Sequence, residues 1–246
     1  MVRVKCVIQY DGSSYFGSQV QVGLPTVMGE IQKALKKIHK KDIIVTSAGR
    51  TDAHVHALAQ VIHFDSELDL EASNYMHALN CLLPKDIRII DVSIENEDFH
   101  ARFNSHDKEY IYKLNMGPYS LFERNYVYQF NKELDIKAMQ EACKLFLGTH
   151  NFSNFCTTTK DETITYIRTL FLFEISQEEN IVIFKVRGNG FLRYMVRMMI
   201  GMLIKIGLHK VDPSLILEKL DTEKCQQKCP FKAPAEGLYL NEVKYD

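Results

Sequence analysis

The chain has 246 residues, 46% hydrophobic and 25% charged, and its 30 basic and 31 acidic residues give a net charge of −1. That composition suits a soluble globular protein with a sizeable core, built as one large domain or two smaller ones. No run approaches the roughly 20 apolar residues of a membrane span. The opening MVRVKCVIQY reads as a strand rather than a signal peptide, so the cytosol is the expected compartment. Near-neutral charge is no sign for or against a nucleic-acid partner, because an average hides a local basic patch. Six scattered cysteines fit free thiols in a reducing compartment. Cys225 and Cys229 stand close together, but no second Cys or His pair beside them completes zinc spacing.

Residues 3–10 read as a strand that stops at Asp11-Gly12-Ser13-Ser14. Pro25-Thr26 opens a helix with Thr26 as its N-cap. Val27, Ile31, Leu35 and Ile38 fall on one face, and Lys33, Lys36, Lys37, Lys40 and Lys41 on the other. Those lysines read as a solvated face at least as readily as an RNA contact. Strands Ile43–Thr46 and Ala57–Phe64 flank the loop AGRTDAHVHA, and a helix over 70–82 and a strand over 87–94 complete a first unit. Next come a strand over 108–114, a helix over 134–147, strands over 164–175 and 181–187, and a long apolar helix over 191–207. One or two strands lie within Ala235–Tyr245. The expected class is α+β. Two similar α/β halves, 1–104 and 105–246, each form a mostly antiparallel sheet with helices on one face and pack around a central cleft.

Four stretches could carry chemistry. No Walker-type loop occurs, and no GxGxxG follows a strand. Gly188-Asn189-Gly190 could offer backbone N–H groups to an anion, although such a sequence is more often a turn. In the helix that follows, Arg193, Arg197 and Gly201 recur at four-residue spacing, and a guanidinium on so apolar a helix needs a carboxylate or phosphate beside it. In HARFNSHDKEYIYKL, Tyr110, Tyr112 and Leu114 share a strand face among Arg102, Lys108 and Lys113. That mixture suits a single-stranded base and its phosphate, and half-buried core is the commoner use.

The loop around Asp52 is the fourth, and Asp52 could be a metal ligand, a general base, a nucleophile or a cap. Asp52, His54 and His56 alternate as DxHxH, with His63 farther on, and would converge in an extended segment. The order departs from the usual two-histidine, one-carboxylate pattern. As a cap, Asp52 gains nothing from the extended residues that follow it. Beside Arg50 its ionised form is favoured, which suits nucleophilic or electrostatic work more than proton donation. With no second catalytic acid nearby, two-carboxylate glycoside hydrolysis has poor support.

GRTDAHVHA resembles GRTDAGVHA, a motif of the tRNA pseudouridine synthase A family. IQYDGSSYFGSQVQ, PTVMGEIQKAL, FHARF with KEYIYKL, GNGFLRYMVRMMIGMLIKIG and APAEGLYLNEV resemble further family segments in the same order, over nearly the whole chain. The resemblance implies isomerisation of uridine to pseudouridine at tRNA positions 38, 39 and 40, by a homodimer without cofactor or metal. It implies Asp52 as the catalytic aspartate and Arg50 as the arginine that helps displace the target base. Tyr110 matches the tyrosine that lies on the uracil ring, and Arg197 the arginine paired with the catalytic acid.

That reaction breaks the bond from uracil N1 to C1′ and joins C5 to C1′. It involves no redox change, group donor or water, in keeping with the missing cofactor motifs. The uridine must leave its stack, at a cost on the order of a few kcal/mol. Asp52 could then attack C1′ or remove the C2′ proton. Three positions depart from the family pattern: Ser18 replaces a usual tryptophan, His54 a glycine, and Arg193 a tyrosine or histidine. His54 matters most, because glycine allows close backbone approach. The departures motivate a second reading, an RNA-binding paralogue with impaired catalysis. The DxHxH pattern motivates a third, a metal-dependent hydrolase using Asp52, His54 and His56.

Overall fold

The computed structural model describes residues 1–157 and 165–245. In chain order the elements are β1 (Val2–Tyr10), α1 (Val27–His39), β2 (Thr46–Ser47), β3 (His56–Ser66), α2 (Ala72–Leu82), β4 (Ile87–Glu95) and β5 (Asp107–Asn115). There follow β6 (Tyr128–Gln129), α3 (Ile136–Cys143), β7 (Gly148–Asn151), β8 (Ile167–Glu178), β9 (Ile181–Gly188), α4 (Met195–Gly207), α5 (Ser214–Leu220) and β10 (Leu238–Lys244). They form two compact units, one of Met1–His106 with the segment from Tyr239 onward, the other of Asp107–Leu238. Strand pairing is mostly antiparallel in both, and the class is α+β.

In the first unit the strand order is β4-β1-β3-β10. Alternation along β1 turns Val4, Cys6 and Ile8 to the buried face. Ile31 and Leu35 of α1, with Tyr75 and Leu79 of α2, complete this core, each large apolar side chain contributing about 1.5–3 kcal/mol by leaving water. Thr26 holds the N-cap position with extended backbone, but its hydroxyl makes no capping bond. The lysine face of α1 and the two lysines after it are exposed, and Lys33, Lys36 and Lys41 ion-pair with Glu30, Asp42 and Glu67. A solvated face is what these contacts describe.

The outer edge of β3 is shared. β10 pairs with it in parallel at His56 and Ala57, and β2 pairs with it antiparallel at Ile62 and His63. The strand expected over Ile43–Thr46 therefore shrinks to Thr46–Ser47, and Ile44 points out into solvent.

In the second unit the order is β5-β9-β8-β7, all antiparallel, with β6 parallel to the end of β5. Tyr112 and Leu114 of β5 join Val182, Phe184 and Val186 of β9 in the core. The Asp135 carboxylate accepts the Ala138 N–H at 2.9 Å and starts α3. A 3-10 turn, Lys144–Phe146, completes the stretch expected as helix 134–147. The helix expected from 191 begins only at Met195, because Tyr194 before it is left-handed at φ 64°. α4 is apolar nearly all round and correspondingly buried. Gly201 lies against a second segment, since a Cβ there would sit 2.8 Å from the Lys232 backbone nitrogen.

β8 covers most of the strand expected over 164–175, whose first residue lies outside the described residues. All six cysteines are free thiols, with Cys81 exposed and the other five buried. No helix among the described residues is long and apolar enough to cross a membrane.

Candidate active site

The loop joining β2 to β3 is fastened through Thr51. Its N–H donates to the Ser18 hydroxyl at 2.8 Å, and its carbonyl accepts the Ser18 N–H at 3.1 Å. Its own hydroxyl lies 2.7 Å from the buried Tyr10 hydroxyl. Ser18, where the family pattern has tryptophan, is thus a buried polar staple. Gly17 makes this close approach possible: its φ is 97°, and a Cβ would come within 2.9 Å of the Thr51 carbonyl oxygen. On the other side, Gln60 Nε2 and Ser47 Oγ donate to the Gly49 carbonyl at 2.9 and 3.2 Å, fixing the backbone just before the exposed Arg50.

Asp52 follows Thr51 and is half-buried. Its carbonyl accepts the Val55 N–H at 3.2 Å, closing a turn over 52–55. Within that turn His54 is left-handed at φ 65°. Glycine suits this position without penalty, and histidine tolerates it better than most residues do. The His54 N–H donates to the Tyr15 carbonyl at 3.2 Å, and its Nδ1 lies 2.8 Å from the Ser13 carbonyl. The exposed imidazole is thereby drawn back over the N-terminal segment.

This turn disperses the DxHxH pattern. His56 is buried, accepts the Gly12 N–H at Nδ1 over 3.1 Å, and stacks on Tyr239 with ring centres 4.8 Å apart. His63 accepts the Ala101 N–H at 3.1 Å, and burial lowers its imidazole pKa to about 4. Among the described residues no three His, Cys, Asp or Glu side chains form a group able to hold a metal ion. Asp52, His54 and His56 therefore do not make the converging ligand set that an extended segment would have given.

In the second unit Tyr110 of β5 is buried, with its ring edge-on to Phe191 at 5.1 Å. Tyr112, its neighbour on the same strand face, is core: its hydroxyl donates to the Pro234 carbonyl at 3.0 Å, and burial raises its pKa well above the usual value. Arg197 is half-buried on α4. Its Nε donates to the Ala233 carbonyl at 2.8 Å, and the Ala233 N–H returns a bond to the Arg197 carbonyl at 2.9 Å. Gly188-Asn189-Gly190 is a strand end: the Asn189 side chain and backbone both bond Thr169 of β8. Tyr194 and Lys232, whose side chains meet beside Arg197, carried no signal in the sequence, because one needs a left-handed backbone and the other arrives from a distant segment.

A family model described as tRNA pseudouridine synthase matches residues 6–104 and 142–246. The tRNA pseudouridine synthase A 1 of Bacillus cereus is 42% identical over 248 residues, covering 100% of both chains. The tRNA pseudouridine synthase A of Oceanobacillus iheyensis is 43% identical over 100% of this chain and 98% of its own. That of Listeria monocytogenes is 41% identical, again covering 100% of both chains. With the Asp52 loop and the α+β fold, these matches establish that the chain belongs to the tRNA pseudouridine synthase A family.

Proposed function

We propose that Asp52 is the carboxylate on which the chemistry of this chain turns. As a member of its family the chain is an isomerase that converts uridine to pseudouridine in tRNA. The observation that carries the role of Asp52 is the anchoring of its loop: three bonds at Thr51, a closed turn over 52–55 and a half-buried side chain. A carboxylate held on a rigid backbone meets the reacting carbon without reorganising, which is where positioning lowers a barrier.

Asp52 attacks C1′ of the everted uridine or removes its C2′ proton, and the departed uracil turns to present C5. Arg197 is the counter-charge that keeps the acid ionised. Tyr110 holds the face of the base, and Arg50 enters the space the uridine vacates. The substrate positions are 38, 39 and 40 of the anticodon arm, the working form is a homodimer in the cytoplasm, and the reaction needs no cofactor.

The departures at Ser18 and His54 fit an active enzyme. Ser18 supplies the acceptor that the buried Thr51 N–H requires, and His54 occupies a left-handed position open to histidine. The test uses tRNA tritiated at uridine C5, which loses its label to water when C5 joins C1′. Wild type releases label, while Asp52→Asn binds tRNA within a few-fold of wild type and releases none. Turnover by Asp52→Asn at the wild-type rate refutes the assignment.

A further inference from the structure

Lys219, in the last turn of α5, is buried at 5% exposure, and its Nζ donates to the Cys225 sulfur at 3.3 Å. Among the described residues no carboxylate lies within ion-pair reach of it. A buried ammonium is costly without an anion beside it. The Cys225 sulfur, its one hydrogen-bond partner, becomes that anion by giving up a proton.

Backbone contacts hold the pair together. The buried Asn154 side chain donates to the Lys219 carbonyl at 3.0 Å and to the Cys225 carbonyl at 2.7 Å. Its own carbonyl accepts the Cys229 N–H at 2.7 Å, and the Cys225 N–H bonds the Asp221 carbonyl at 2.9 Å. The sulfur otherwise lies 3.9 Å from the Gln227 carbonyl.

Cys225 differs from the other buried thiols. Burial raises the pKa of Cys6, Cys143, Cys156 and Cys229, which favours their protonated, unreactive form. Cys225 is the most accessible of the five at 8% exposure. It sits between exposed Lys224 and Gln226, within reach of a water-sized oxidant. Cys81 is exposed but faces a histidine ring nitrogen at 3.6 Å. The cysteine pair that lacks zinc spacing thus finds its chemistry in a lysine six residues upstream.

We propose that Cys225 and Lys219 form a peroxide-sensitive modification site, where oxidation of the thiol leads to a covalent sulfur–nitrogen bond between the two side chains. In the first step the Cys225 thiolate attacks one oxygen of hydrogen peroxide, the O–O bond breaks, and the Lys219 ammonium gives its proton to the departing hydroxide. Sulfur loses two electrons and peroxide gains them. The products are Cys225 sulfenic acid, a neutral Lys219 amine and water. In the second step the amine nitrogen attacks the sulfur, and the hydroxyl leaves with an amine proton as a second water. A sulfenamide remains, which thiol reductants reopen.

The test adds hydrogen peroxide to the full chain, which is then denatured, alkylated at its free thiols and digested with trypsin for mass spectrometry. The expected product is the peptide ending at Lys224, uncut at Lys219, joined to the peptide 225–228 and lighter than their sum by two hydrogen atoms. Dithiothreitol before digestion restores cleavage at Lys219. Lys219→Met, whose apolar side chain suits a buried position, abolishes the link and slows loss of the Cys225 thiol on the order of tenfold, while its melting temperature reports that the fold is kept. A bond from Cys225 to Cys229 with normal cleavage at Lys219 overturns the cross-link. So does a Cys225 that stops at the sulfenic or sulfinic acid, or one that stays unmodified while Cys81 is oxidised. Loss of the Cys225 thiol at the wild-type rate in Lys219→Met overturns the part given to the lysine. Peptide mapping of the wild type stands by itself if that variant unfolds.

Discussion

Replacing His54 by glycine and by alanine separates the backbone from the side chain in the turn that follows Asp52. Both variants lose the bond from Nδ1 to the Ser13 carbonyl, worth about 0.5 kcal/mol at an exposed site. Alanine keeps a Cβ at φ 65°, where a side chain costs about 1–2 kcal/mol. Glycine removes that cost but gives the unfolded chain extra freedom, worth about 0.5–1 kcal/mol. His54→Gly is therefore the more stable variant, by roughly 0.5–1 kcal/mol, which is about 1–4 °C in melting temperature for a chain of this length. Calorimetry of the two variants beside wild type measures the difference. If His54→Ala melts at or above His54→Gly, backbone strain is not what the family's glycine relieves.

Three further outcomes follow from the same contacts. Ser18→Ala leaves the buried Thr51 N–H without its acceptor and costs about 1–3 kcal/mol, read as a lower urea midpoint; an unshifted midpoint refutes the staple. Arg197→Ala removes the bond to Ala233 and the proposed counter-charge of Asp52, so melting temperature and label release fall together. Unchanged values of both contradict the pairing. His63 has a folded pKa of about 4, against 6.5 when unfolded. The unfolded chain takes up the proton first, so stability is full above pH 6.5, declines as pH falls toward 4 and then levels off. His63→Gln keeps an acceptor for the Ala101 N–H and flattens this decline, and an unaltered slope dismisses the account.

Much of the framework was legible because it is written in local periodicity. β1, β5 and β9 appear within a residue or so of their alternating runs, and α1 follows its apolar stripe. Misses arose where distant chain segments decide the outcome. The beginning of α4 depends on the handedness of Tyr194, and the shrunken β2 on an edge shared with β10. Nothing local marks β10 as the parallel partner of β3. The short α5, β6 and β7 carry too few residues for a periodic signal. At the site, the family motif singled out Asp52 and its loop, while the bond from Thr51 to Ser18 spans 33 residues and has no local trace. The DxHxH pattern misled because alternation brings side chains together only in extended chain, and His54 is left-handed.

β10 joins the strand that leads out of the turn carrying Asp52, at His56 and Ala57, and lays Tyr239 over the His56 ring. It leaves the ribosome after every other strand of its unit. A nascent chain therefore carries an unfinished β3 edge with unpaired backbone groups, a template for mispairing, until β10 has emerged. A chain stalled before Tyr239 lacks the strand and the ring that brace the exit from the Asp52 turn.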